Sequence, residues 1–270
     1  MYKYIKIFIA AVVPGIIIYF VSGSNSQSAQ LIISLAAAIL SAAVASLYEI
    51  IDDHGWGFTL WLKSKVCLRN TTIRLSFSYL YRIEVDGKYL LVRGNRMKNR
   101  YQPVGGVYKY YPEAKAFLDS INALPDTQVG NQDETDDLRL QIKGKNLIPF
   151  MDWFASMKDR ELDPLREFYE ELIANNVLSE DLFRHLKYRK IGTHNVGITY
   201  SEFHSMQEMV YADIFTVSLN ESQKECIRMA VNKNPEIVVL ASQDEIMKRR
   251  YNNSVEANLG NNVSWILGEE

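Results

Sequence analysis

Two apolar runs at the start of the chain constrain its architecture more than anything that follows. The first extends from Ile7 to Val21 and the second from Leu31 to Tyr48, with only the short, uncharged stretch Ser22–Gln30 between them. About 20 apolar residues at 1.5 Å rise cross a hydrocarbon core of about 30 Å, so the pair reads as a transmembrane hairpin. Lys3 and Lys6 precede the first run, while Lys63, Lys65 and Arg69 follow the second, and the connecting stretch has neither lysine nor arginine. Excess positive charge marks the cytoplasmic side, which puts both termini there. Two other readings stay open: a cleaved signal peptide for the first run, and a buried helix rich in small residues for the second, where Ala36–Ala38 and Ser41–Ala43 cluster.

On this reading residues 1–54 are the hairpin and residues 55–270 a second domain, with an insertion over about 110–158. A net charge of −2 argues against binding a DNA or RNA polymer. Cys67 and Cys226 alone make no disulfide framework. Leu75–Val85 and Lys88–Arg93 are rich in strand formers and flank Asp86-Gly87, a strong hairpin signal. Tyr101–Val107 and Leu138–Ile142 read as further strands, and Leu147–Met157 as an amphipathic helix. Asp163 and Pro164 carry the start signals of a helix running to Asn175. Strand-like segments return at Phe183–Tyr188, Val196–Phe203 and Met209–Leu219. Strands before and after a central helix, without regular alternation, predict an α+β domain.

Two segments of this domain resemble the Nudix fold. Tyr89–Arg96 followed by Gln102-Pro-Val-Gly-Gly-Val107 is similar to its strand–loop–strand, and Arg166-Glu-Phe-Tyr-Glu-Glu-Leu172 is similar to half of the Nudix box. The resemblance implies that Glu167, Glu170 and Glu171 are the metal-holding and, in a hydrolase, catalytic carboxylates, with Mg²⁺ as the metal. Spacings of three and four place them on one helical face, where a hard cation would relieve their repulsion. The box is interrupted, however. Gly106 and Arg166 are sixty positions apart, and Lys158 takes the place of the first box glutamate, for which Glu161 or Asp159 is the displaced substitute. Ile173 stands where the box has glycine. These departures argue against hydrolysis more than against the fold.

A membrane hairpin joined to a divergent Nudix domain is similar to one narrower group, the CD-NTase-associated two-transmembrane Nudix-type effectors of cyclic-oligonucleotide-based anti-phage signalling in bacteria. That resemblance implies a partner cyclase, a cyclic nucleotide ligand, self-association into oligomers and disruption of the inner membrane. It implies ligand contacts from Arg93, Arg96, Lys98 and Arg100, from Gly105 and Gly106, and from Tyr108 as a stacking platform. The competing reading is a membrane-tethered, Mg²⁺-dependent hydrolase of nucleoside diphosphate derivatives.

Overall fold

The computed structural model describes residues 2–21, 23, 26–94, 100–126 and 136–268. They fall into two compact units, Met1–Arg69 and Asn70–Glu270.

The first unit is a pair of helices, α1 (Tyr2–Val21) and α2 (Gln27–Leu62), the second starting at Ser26, whose hydroxyl accepts the Ala29 N–H at 3.2 Å. Among the described residues no helix is long and apolar enough to cross a membrane. The expected transmembrane hairpin, and the multi-pass inner-membrane placement with cytoplasmic termini, therefore do not hold. Helix α2 shows why the sequence misleads: it does not stop at Tyr48 but takes Glu49, Asp52, Asp53 and His54 into the same continuous helix. Its apolar half leans on alanine and serine, which contribute little transfer free energy, and α1 contains Lys3, Lys6 and an internal Pro14. Ala29 and Ala36 are buried in this unit, whereas Tyr19, Phe20, Leu31 and Leu35 are exposed.

The second unit is an α+β domain. It opens with β1 (Thr72–Arg82), β2 (Glu84–Val85) and β3 (Lys88–Arg93). Asp86 and Gly87 turn the chain with φ of 53° and 73°, the two positive values that a tight hairpin turn requires. Next come β4 (Tyr101–Pro103), β5 (Gly105–Val107), α3 (Lys115–Ser120), β6 (Leu124–Pro125), β7 (Arg139–Lys143) and α4 (Leu147–Ala155). The box segment forms α5 (Leu165–Phe168), which widens at once into a π turn over Tyr169–Ile173. The chain closes with α6 (Glu180–Phe183), β8 (Lys187–Ser201), β9 (Met206–Ser218), α7 (Glu221–Lys233), β10 (Val238–Ala241), α8 (Gln243–Lys248) and a 3₁₀ turn, Val263–Leu267.

The larger sheet runs β6-β7-β1-β9-β8. One edge of β1 is given wholly to β9, in parallel register from Ile73↔Gln207 to Arg82↔Thr216. Its other edge is divided: Thr72–Ser76 pair with β7, and Ser78–Leu80 pair with β5. The smaller sheet runs β10-β3-β2, with β4 on β3. The chain steps between sheets at Val104, whose carbonyl accepts the Tyr81 N–H at 2.8 Å. Ile73, Leu75, Phe77, Tyr79 and Tyr81 of β1 are fully buried, and Phe77 meets Phe150 and Phe154 of α4 edge to face.

Of the three strand-like segments of the C-terminal half, Met209–Leu219 corresponds to β9, while the first two resolve differently from their sequence pattern. Phe183 closes a helical turn, and the residues from 187 to 201 form one long strand rather than two. The register against β9 shifts between Lys190 and Gly192 and again between Asn195 and Ile198. Gly192 and Gly197 look like strand breaks in sequence but sit at bulges, where an irregular backbone favours glycine.

Candidate functional site

Where β5 and β7 divide the edge of β1, the box helix closes a cleft of about 280 Å³. Its walls include Gly105, Gly106 and Lys109 from one side, Asp137 and Arg139 from another, and Arg166, Glu167, Glu170 and Glu171 from the helix.

The glycines are there because nothing larger fits. Gly105 has φ of 146°, and a Cβ on it would overlap the Tyr79 carbonyl oxygen. A Cβ on Gly106 would overlap the Glu167 carboxylate. The Pro-Gly-Gly-like turn thus lets the box helix lie directly on the backbone of β5. The Gly105 N–H donates to Glu171 Oε2 at 3.1 Å.

Arg166 organises the acidic side chains. Its Nε donates to Glu161 Oε1 at 2.9 Å, its Nη1 to Glu167 Oε1 at 2.7 Å and to Glu170 Oε2 at 3.3 Å. Its Nη2 donates to the Val107 carbonyl at 2.9 Å. Glu161 in turn accepts the Lys109 N–H at 3.2 Å, so one guanidinium ties the box helix to the strand. Of the two displaced substitutes, Glu161 is the one that Arg166 holds. All three box glutamates line the cleft, on a helix that widens into a π turn after Phe168, but they differ in exposure. The side chains of Glu167 and Glu171 turn inward, while that of Glu170 is more than half exposed.

Electrostatics follow from this burial. Desolvation pushes the Glu171 carboxyl up to about 8, reinforced by repulsion from Glu167 and Glu170 and opposed by the Gly105 N–H. Glu167 is also raised, mainly by burial, against the pull of Arg166. At neutral pH Glu171 is therefore held mostly protonated. Below pH about 4.5 the carboxyl binds its proton in both folded and unfolded chains, so stability is unaffected there. From 4.5 to about 8 the folded state keeps a proton that the unfolded chain releases, and stability falls as pH rises. Glu171→Gln is expected to match the natural chain at pH 4.5 and to exceed it by roughly 4–5 kcal/mol above pH 8 in urea unfolding. A variant less stable than the natural chain at pH 8.5 would show that the ionised carboxylate is needed there.

Does this donor set suit a divalent metal? Among the described residues no three His, Cys, Asp or Glu side chains converge to hold one. Two of the box carboxylates already share a fixed cation, and the third is the group that burial keeps protonated. In this arrangement Arg166 supplies the positive charge that Glu161, Glu167 and Glu170 share.

Of the residues expected to contact ligand, Gly105 and Gly106 line the cleft. Tyr108 is buried, and its hydroxyl donates to Asp213 Oδ2 at 2.9 Å. Arg93 ends β3 in the smaller sheet, where its Nη1 reaches the Glu236 carbonyl at 3.4 Å, and neither it nor Arg100 lines the cleft. Arg96 and Lys98 lie outside the described residues. The cations that do face the cleft, besides Arg166, are Lys109 and Arg139. Lys109 reaches Asp136 at 3.3 Å and Arg139 reaches Asp137 at 2.8 Å.

Residues 72–267 match the model of a family described as the SMODS-associated NUDIX domain. The chain belongs to that family. The match takes in the strand–turn–strand, the divided edge of β1 and the box helix, so this NUDIX domain is a Nudix-type effector domain associated with SMODS systems. No curated protein and no solved structure matches the chain.

Proposed function

We propose that this NUDIX domain is a receptor for a cyclic oligonucleotide second messenger made by a partner cyclase, and that it binds its ligand without hydrolysing it. The observation that carries this reading is the incomplete carboxylate set: Lys158 takes the place of the first box glutamate, and Glu161, its displaced substitute, is held by Arg166 Nε at 2.9 Å. A Nudix hydrolase needs those carboxylates for a metal that stabilises charge on the pyrophosphate. The box also departs from the hydrolase pattern at Ile173, where that pattern has glycine. The family's association with SMODS supplies the signalling context, and the exposed Tyr19, Phe20, Leu31 and Leu35 of the helix pair offer apolar surface for self-association.

The test uses the full-length chain with Mg²⁺ or Mn²⁺ and a panel of cyclic di-AMP, cyclic di-GMP, cyclic GMP–AMP and ADP-ribose. The expected result is calorimetric binding of at least one cyclic dinucleotide, no product by chromatography, and a larger particle by sedimentation when ligand is bound. Glu170→Gln should leave that affinity within about tenfold, the range of one charge-assisted contact. Metal-dependent cleavage of ADP-ribose that Glu170→Gln abolishes would replace this reading with the hydrolase.

A further inference from the structure

The box cleft is small for a cyclic dinucleotide. Its 280 Å³ lies below the roughly 300–1,000 Å³ usual for small-molecule sites, and four of its lining residues are acidic. A wider groove, about 790 Å³, lies where the outer strand β8 meets the 3₁₀ turn Val263–Leu267. Its lining has a different character. Arg82 and Arg189 bring two positive charges, Asn195 and Ser264 bring hydrogen-bonding groups, Thr193 donates its hydroxyl to Asp213 Oδ1 at 2.9 Å, and no described lining residue is acidic.

One wall is aromatic. The His194 imidazole lies flat on the Trp265 indole, with centroids 4.2 Å apart and planes 11° from parallel. Trp265 is fixed from behind by the buried cluster that includes Leu91, Val239, Val263 and Ile266. Arg82 is also held in place: its guanidinium sits 5.4 Å from the Tyr89 ring centroid and its Nη1 reaches the Leu267 carbonyl at 3.4 Å. Arg189 lies on β8, opposite Thr216, and is exposed to solvent. A rigid aromatic wall, a seated guanidinium and an exposed one are what a planar base bearing a phosphate requires.

We propose that this groove, and not the box cleft, is the nucleotide-binding site, with the base extending the His194–Trp265 stack and the phosphate between Arg82 and Arg189. The proposal rests on the receptor reading for the class of ligand and goes beyond it in assigning the place. It also explains why the domain can bind a nucleotide while its box remains closed by Arg166.

Photolabelling of the full-length chain with 8-azido-AMP, followed by peptide mapping, tests the assignment. Label is expected on peptides covering 189–196 or 264–268, and excess cyclic di-AMP should displace it. Arg189→Glu, at an exposed position that should not disturb folding, is expected to reduce labelling at least about tenfold. Trp265→Leu should reduce it by about five- to hundredfold. Label confined to 102–109 or 166–171, absence of label on 189–196 and 264–268, or unchanged labelling of Arg189→Glu would each overturn the groove as the site. If calorimetry with the panel above shows cyclic dinucleotide binding while Arg189→Glu labels normally, the receptor reading stands and only this assignment falls. If no cyclic dinucleotide binds and yet 8-azido-AMP labels the groove, the groove stands and the receptor reading falls.

Discussion

Replacing Arg166 with methionine is expected to destabilise the folded chain by about 3–5 kcal/mol at neutral pH, the cost of leaving largely buried charges without their partner. Glu161 is buried and Glu167 nearly so, and both depend on the one guanidinium. The contribution of Glu170 is smaller, because its side chain is more than half exposed and water screens it. Methionine keeps the aliphatic length of the side chain, so the loss reports charge rather than a cavity. Adding Glu161→Gln and Glu167→Gln to the same chain should recover most of it, since removing both sides of a buried pair is often close to neutral. Urea unfolding of the three chains measures this. A loss below about 1 kcal/mol for Arg166→Met alone would mean that the carboxylates find solvent or another partner.

Gly105→Ala should be comparably severe for a different reason. The new methyl group meets the Tyr79 carbonyl and the Leu80 Cα, backbone atoms of the central strand that have nowhere to go, at a φ of 146° that L-residues avoid. A loss of about 3 kcal/mol or more in thermal or urea unfolding is expected, from strain added to displacement of β5. Gly197→Ala is the control: φ is also positive, at 74°, but nothing lies within 4 Å of the new Cβ, so only about 1 kcal/mol is at stake. Equal losses at the two positions would show that the close approach of β5 to β1 is not what selects glycine at Gly105.

What could be read from the sequence is what local rules govern. Asp86-Gly87 between strand formers, the Pro103–Gly106 turn, and the Asp163-Pro164 start before Arg166–Glu171 each declare themselves within a few residues. The helix pair was legible as helices, but hydrophobicity alone gave it a membrane and an end at Tyr48 that α2 does not respect. The cleft was half legible. Lys109, Asp137 and Arg139 join it only because β5 and β7 divide one edge of β1, a pairing that no local pattern announces. The cations near Gly94 drew attention for the same reason in reverse: they are close in sequence to the glycines, yet Arg93 belongs to the other sheet. The widening of the box helix into a π turn over Tyr169–Ile173 has no signal in ordinary helical spacing.

The parallel pairing of β1 with β9 has a consequence for how this protein is made. Arg74 and Glu208, adjacent in that ladder, are 134 positions apart in the chain. On a ribosome adding about 5–20 residues per second, β1 waits roughly 7–27 seconds before its principal partner emerges. Throughout that interval the strand that the finished domain buries most completely, with Ile73, Leu75, Phe77, Tyr79 and Tyr81, has one whole edge unpaired. Nascent chains of this protein should therefore engage holdase chaperones from the time β1 leaves the exit tunnel until β9 does. Slowing translation between the two strands should increase aggregation rather than relieve it.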